Sequence, residues 1–500
     1  MRRMANDSSA PRSHEEAGGA GSMRTRGFRG IEIPLALLVG VFALIAAVRA
    51  GATPSCIDFY QFWAVGRAVG KHQARDVYTD VERKHLGGLY WSEALNAQAH
   101  SQTPDVPTKR IVAAQERQVF ETYSTPWMYT LFGIAASDDY DRDQDHFQAF
   151  ATIAYAIGIA ALAHLLGYRP LAIAACAWFF VSTWFKPFGD EVIAGNVNRL
   201  QVALLALFAW VHASKRWSAR DVAAGVVLGV AILFKPNLAL VAVVLALGYG
   251  IAGRFRELAR IALGVAIGAL AAFAISSAYF GTARAWSDWI GTIPELLSQG
   301  STAGGNYALS RLVFDKSGLS LSRVLPFAML ALVALALLVA RKRTSAVTNA
   351  NDDTAMNAPS DAALSAQDEA ARTNDTELAR ESARERAGFD VALVGLGATI
   401  SVLATDLVWL HYYVLCVPLA LFALRSARCA RTVRSRWTLF AAALTGVLLV
   451  GLQLFLKILD IPRPSTASPY VNAGALLLCA VALVELASRM RIPPRSAGVR

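Results

Sequence analysis

Apolar residues in this chain come in blocks, not at the spacing of a one-sided helix. Residues 33–48 and 437–456 carry no charge and are long enough, or nearly so, to cross ~30 Å of hydrocarbon. Further blocks follow, and together they predict spans at 31–49, 147–167, 170–186, 197–213, 221–234, 236–252, 258–280, 324–340, 389–405, 408–424, 437–457 and 470–488. The expected fold class is an all-α polytopic membrane protein of about twelve transmembrane helices.

Two of those boundaries rest on length. At a rise of about 1.5 Å per residue, a single helix over 221–252 would run about 48 Å, and one over 391–424 about 51 Å. Each stretch carries a charge and a breaking signal near its middle, Lys235-Pro236-Asn237 and Thr405-Asp406. Splitting both has a consequence for charge. With the basic leader (Arg2, Arg3, Arg24, Arg26, Arg29) in the cytoplasm, parity puts Lys215/Arg216/Arg220, Arg254/Arg256/Arg260, Arg341/Lys342/Arg343 and the basic stretches 425–436 and 489–495 on that same side. That is the asymmetry the positive-inside rule requires, and leaving either long stretch unsplit destroys it.

The resulting organisation has a polar, disordered leader at 1–30 and a membrane core at 31–340. The core carries two extracytoplasmic loops, a large first one at 50–146 and another at 281–323. A cytoplasmic insert at 344–386, disordered or loosely helical, precedes C-terminal spans within 389–488 and a cytoplasmic tail at 489–500. Residues 127–137 are apolar but short, and read as a re-entrant segment, an interfacial helix or a thin span. The first apolar block follows a long basic leader without a small-residue cleavage site, unlike a cleavable signal.

Composition narrows the function classes. The chain is 55% hydrophobic and 17% charged, against about a quarter charged in soluble proteins. Its net charge of +11 sits mainly in short loops between apolar blocks, so it points to membrane lipids and not to nucleic acid. The five cysteines are scattered without a Cys-x-x-Cys pair, and neither a metal site nor a disulfide framework is expected.

Polar residues within or beside spans are expensive and therefore informative. In this topology they collect on the extracytoplasmic side: Asp58; Asp190, Glu191, Asn196, Asn198 and Arg199; Lys235; Asn306 and Arg311; Asp406 and His411. A site shared among several loops of one membrane face would have this pattern. Each residue also has a plainer reading. Asp58 would serve as the N-cap of an interfacial helix, Lys235 as a snorkelling lysine, and Asp190 and Glu191 as a hydrated turn. His411 would be structural, and Arg311 a headgroup anchor.

Several of these residues lie in recognisable strings. The run Asp58-Phe59-Tyr60-Gln61-Phe62-Trp63-Ala64-Val65-Gly66-Arg67-Ala68, with Tyr78 after it, resembles the opening of the first outer loop of glycosyltransferase family 87. These are GT-C enzymes that include polyprenol-phosphate-mannose-dependent mannosyltransferases. Gly195-Asn196-Val197-Asn198 is similar to the family's Gly-Gln-x-Asn, and the stretch from Ala224-Gly225 through Gly229 to Lys235-Pro236 to its AG-x-x-x-G…K-x-P block. Gly281 with Trp286 and Trp289, then Asn306 and Arg311, resembles its second outer loop. Thr405-Asp406-Leu407-Val408-Trp409-Leu410-His411-Tyr412 stands where the family shows Ser-Pro-x-Ser-Trp-x-His-His. The likeness runs in order over residues 31–425. The chain departs from it at Asn196, Thr405-Asp406 and Tyr412, and in its insert.

The resemblance implies a GT-C-like fold and inverting transfer of a sugar, mannose first among the candidates, from a polyprenyl-phosphate donor to a glycolipid or polysaccharide acceptor. Asp58 would be the general base. Lys235, Arg311 and His411 would face the donor phosphate, Asn196 and Asn198 would orient sugar hydroxyls, and Asp190, Glu191 and Asp406 would complete the substrate site. Trp63, Trp286 or Trp289 would stack on a sugar ring. No metal or cofactor is expected. The location implied is the bacterial inner membrane, with an extracytoplasmic site and both termini cytoplasmic. Two other classes stay open at this point: a transporter or flippase of a lipid-linked or small solute, which broken helices also suit, and a non-catalytic GT-C relative.

Overall fold

The structure, a computed structural model, describes residues 19–488 apart from 53, 75, 102–104, 215–217, 301–305, 322, 353–363, 427–432 and 452–463. Its regular elements are all helices. Helix α1 (Gly19–Gly51) leads into a first polar segment containing α2 (Ile57–Gly70), α3 (Asp80–Ala99), α4 (Lys109–Glu116) and α5 (Pro126–Ala135). Then come α6 (Tyr140–Leu165), α7 (Pro170–Val181), α8 (Lys186–Ala194), α9 (Asn198–Ala213), α10 (Arg220–Phe234), α11 (Ala239–Ile251) and α12 (Phe255–Phe280). A second polar segment holds α13 (Arg284–Gly300) and α14 (Leu309–Ser317). The chain ends with α15 (Leu325–Asp352), α16 (Leu364–Leu403), α17 (Val417–Ser426), α18 (Val433–Gly451) and α19 (Pro464–Ser488).

Among the described residues six helical stretches are long and apolar enough to cross a membrane: Ile31–Gly51, Tyr140–Leu165, Phe255–Phe280, Leu325–Arg343, Ala383–Leu403 and Ser468–Ala487. Helices α7 and α8, bent by 54° at a short break, make a seventh if they form one broken span. The protein is therefore a multi-pass membrane protein. Of the other stretches expected as spans, 197–213 and 221–234 form α9 and α10, and Pro236–Ile251 and Leu410–Ser426 are apolar helices shorter than a crossing, while part of 437–457 lies outside the described residues.

Both expected breaks are present. Helix α10 stops at Phe234, Lys235 is extended, and Pro236–Leu238 forms a single 3-10 turn before α11. Proline removes a backbone donor and restricts the residue before it, so the helix cannot run through. Helix α16 ends at Leu403, and a loop to Trp409 precedes the 3-10 stretch Leu410–Cys416 that opens α17. Two polar segments, the leader expected as disordered and the insert expected as disordered or loosely helical, carry helix in their described parts. Helix α1 begins at Gly19, within the expected leader, and the described parts of the 344–386 insert continue α15 to Asp352 and open α16 at Leu364. Extending an existing helix adds a hydrogen bond per residue without a new nucleus, which favours such overruns. Residues 1–18, 353–363 and the tail from 489 lie outside the described residues.

Packing arranges these helices around α16. Its Ala383–Leu403 stretch is 94% buried, whereas the most apolar windows of α1 and α12 are 17% and 22% buried and face outward. A helix apolar on every side belongs in the interior. Helices α10 and α12 meet through Gly225 and Gly229 on one and Gly264 and Gly268 on the other. A Cβ at Gly225 would lie 2.9 Å from Gly264 Cα, and one at Gly229 the same distance from Ala269 N. This is close packing through small residues four apart. It fixes the end of α10, and so Lys235.

The short apolar stretch after Trp127 is helix α5, ten residues long, or about 15 Å, half of what a crossing needs. It packs against α2 at Gly66 and Gly133, where Tyr279 of α12 donates to the Gly66 carbonyl at 3.0 Å. Thr125 caps α5 and donates to the Leu233 carbonyl at 2.6 Å, tying α5 to the end of α10.

Candidate active site

Asp58 lies in the first turn of α2 and does not cap it. The residue at the N-cap is Cys56, in a left-handed conformation (φ 56°) and without a side-chain capping bond. That strained turn is held from several sides. Tyr140 donates to the Ser55 carbonyl at 2.5 Å, and Gln144 and Gln148 donate to Cys56 Sγ at 3.1 and 2.8 Å. Against it sits a second left-handed residue, Gly195 (φ 68°), where a Cβ would come within 2.6 Å of Cys56 Cβ. The two turns touch, and their next polar side chains meet: Asn196 Nδ2 donates to Asp58 Oδ2 at 2.7 Å.

From there a chain of polar groups runs inward. Lys235 Nζ donates to Asn196 Oδ1 at 3.1 Å and to Asn198 Oδ1 at 2.8 Å. Asn198 Nδ2 donates to Glu191 Oε2 at 2.9 Å, and the Arg199 amide donates to the same carboxylate at 3.2 Å. Each asparagine thus turns its carbonyl to the lysine and its amide to a carboxylate. Lys235 also lies over the Tyr412 ring, 4.2 Å from the centroid, a cation–π contact. An ammonium with this many partners is not a snorkelling anchor.

Asp58, Asn196, Lys235 and His411 line one cavity of about 690 Å³, within the ~300–1,000 Å³ range of small-molecule sites. It draws on the starts of α2 and α5, the Lys235 break, α13 and the Trp409–Tyr412 turn. His411 Nε2 is buried and makes no hydrogen bond to the described residues. A smaller cavity of about 130 Å³ adjoins it, sharing Lys235 and Tyr412 and lined by Asp406.

Other expected site residues lie elsewhere. Glu191 and Asn198 are fully buried behind Lys235. Asp190 points away and pairs with Lys186. Asp406 Oδ1 accepts from Ser310 at 2.9 Å. Arg311, one position further along α14, therefore faces another way and pairs with Asp315 at 2.8 Å, outside the main cavity. Asn306 is a clip: it donates to the Asp406 carbonyl at 2.7 Å and accepts from Val408 N and Ala308 N, both at 2.9 Å. Of the three tryptophans considered for sugar stacking, Trp289 lines the cavity. Trp63 is buried and donates to Asp143 at 2.9 Å, and Trp286 donates to Ser276 at 3.0 Å.

The structure adds residues the sequence did not single out. Arg117 donates from one terminal nitrogen to Asp58 Oδ1 at 2.8 Å and from the other to Glu121 Oε2 at 2.9 Å. Burial works against its charge, but Asp58 and Glu121 together hold the guanidinium pKa above its ordinary value. Gln61 clasps the Glu121 backbone, accepting from its amide at 2.8 Å and donating to its carbonyl. Trp409 and Asn237 complete the wall. Gln61 stands inside the Asp58 motif, but nothing in the pattern around Arg117 marks it as a partner of Asp58. Among the described residues no three His, Cys, Asp or Glu side chains cluster to hold a metal.

Polar and ionic side chains thus gather at the breaks of apolar helices and line one cavity. The family model of glycosyltransferase family 87 matches residues 146–359, from within α6 to beyond α15, so over that stretch the protein is similar to the membrane glycosyltransferases of that family. The matched stretch contains Asn196, Asn198 and Lys235; Asp58, Arg117 and His411 lie beyond its limits. No curated protein and no solved structure matches the chain.

Proposed function

We propose that the protein transfers a sugar, mannose first among the candidates, from a polyprenyl-phosphate donor to a hydroxyl of an extracytoplasmic glycolipid or polysaccharide, with inversion. The observation that carries this reading is the convergence of Asp58, Asn196, Lys235 and His411 on one cavity from four separate parts of the chain. The acceptor hydroxyl attacks the anomeric carbon, its proton passes to the Asp58 carboxylate, and the bond from that carbon to the phosphate oxygen breaks. Asn196 aims the carboxylate. Lys235 and the unpartnered Nε2 of His411 meet the growing charge on the departing lipid phosphate, where fixed donors in a water-poor site act most strongly. A positioned base contributes roughly 100- to 10,000-fold to rate.

In this reading the fold is GT-C-like and crosses a bacterial inner membrane about twelve times, with the cavity extracytoplasmic and both termini cytoplasmic. The mutually bonded set Asp58–Asn196–Lys235, with Asn196 buried and the other two half-buried, favours a working enzyme over a non-catalytic relative. The test is sugar transfer from a panel of radiolabelled polyprenyl-phosphate sugars into lipid extract, by purified protein and its Asp58→Asn variant. Transfer that drops at least a hundredfold in the variant, with donor binding retained, supports the reading. Turnover unaffected by the substitution removes Asp58 as base, and transport of an unchanged substrate would establish a carrier.

A further inference from the structure

The proposed reaction asks Asp58 to accept a proton, yet both of its oxygens are engaged: Oδ2 by Asn196 and Oδ1 by Arg117. Asn196 can stay in place as the group that aims the carboxylate. Arg117 holds one of the approaches by which an acceptor hydroxyl would reach Oδ1.

We infer that Arg117 is a donor-sensing positioning residue, which pairs with the base and moves onto the donor phosphate when the lipid-linked sugar binds. Four features carry this, together with the function proposed above. The guanidinium lines the same cavity as Lys235 and His411, the other groups suited to an anion. One of its edges is anchored by Glu121, whose backbone Gln61 holds in turn, so the other edge can change partner without losing its footing. Its Nε is buried without a hydrogen-bond partner among the described residues, which leaves the fork a donor in reserve. Finally, Arg117 is the C-cap of α4, at the end of the regular helix and the start of the loop that leads to Glu121. A phosphate offers a planar guanidinium two parallel charge-assisted bonds, whereas Asp58 takes one. The exchange makes base competence conditional on the donor. The acceptor hydroxyl gains that approach to Asp58 Oδ1 once the donor phosphate has drawn Arg117 away, so donor binds first.

The experiment measures binding of polyprenyl phosphate, without sugar, to wild type, Arg117→Ala, Asp58→Asn and the double variant in lipid nanodiscs. Arg117→Ala should weaken binding roughly tenfold to a hundredfold, as loss of a charge-assisted pair does. Asp58→Asn should strengthen it about fivefold by releasing the guanidinium, and that gain should largely vanish in the double variant. A purely structural role for Arg117 would not produce a gain that depends on its own presence. Equal effects of Asp58→Asn in both backgrounds, or an Arg117→Ala effect under about threefold, overturn the inference while leaving the transferase reading standing. Failure of polyprenyl phosphate to bind wild type overturns both. Arg117→Lys, which keeps the charge and loses the fork, should fall between wild type and Arg117→Ala; it carries the same test if the alanine variant does not yield monodisperse protein.

Discussion

Replacing Lys235 by methionine keeps most of the aliphatic stem and removes the charge at the centre of the polar chain. Three contacts go with it: the bonds to Asn196 Oδ1 (3.1 Å) and Asn198 Oδ1 (2.8 Å), and the cation over Tyr412 at 4.2 Å. Folding stability should change little. The two asparagine carbonyls lose a partner, but a half-buried charge whose desolvation is costly also disappears, and the two effects oppose each other. Donor binding should change strongly. A hydrogen bond to a charged group contributes about 1.5–3 kcal/mol, so the affinity for a polyprenyl-phosphate ligand should fall roughly 10- to 150-fold. Turnover at saturating donor should fall less, by about tenfold at most, through looser aim of Asn196 at Asp58. Titration of polyprenyl phosphate into the variant, paired with the donor dependence of sugar transfer, separates the two quantities. An affinity within about threefold of wild type would refute the reasoning, because a lysine contributing so little falls below the range of any charge-assisted bond.

The packing argument predicts that Gly229→Leu forces α10 away from α12, since a Cβ there already meets the α12 backbone at Ala269 N (2.9 Å). Overpacking of this kind costs about 1–3 kcal/mol and should lower the thermal unfolding midpoint in detergent; an unchanged midpoint would mean that the helices are not in register at these glycines. Gly195→Ala should lower turnover more than stability alone explains. It penalises a left-handed backbone by roughly 1–2 kcal/mol and pushes on Cys56, which separates Asn196 from Asp58. Wild-type turnover in that variant would show that the contact between the two turns does not set the aim of the base.

How much of this was legible beforehand depends on the range of the interaction. Long apolar blocks announce helices because no lipid-exposed backbone can leave its hydrogen bonds unmade. The breaks at Lys235 and after Leu403 followed from simple length against the bilayer, together with Pro236. The expense of a polar group beside a span was enough to mark Asp58, Asn196, Lys235 and His411, all of which line the cavity. That same argument marked Arg311 and Asp190, which the structure pairs with Asp315 and Lys186 at a helical turn's distance. Polarity reports that a group needs a partner and is silent on which one.

Only the tertiary structure supplies the partners. Arg117 reaches Asp58 across 59 positions and Asn196 reaches it across 138, through the contact of two left-handed turns. The choice of Trp289 over Trp63 is likewise one of direction: both are aromatic residues in polar segments, but Trp63 turns away from the cavity to meet Asp143 at the start of α6. Local chemistry along a chain determines which segments enter the membrane and which residues resist it. Which of those residues share one cavity is decided by how α2, α5, α10 and the Trp409–Tyr412 turn pack in three dimensions, because a hydrogen bond depends on distance and angle and not on separation along the sequence.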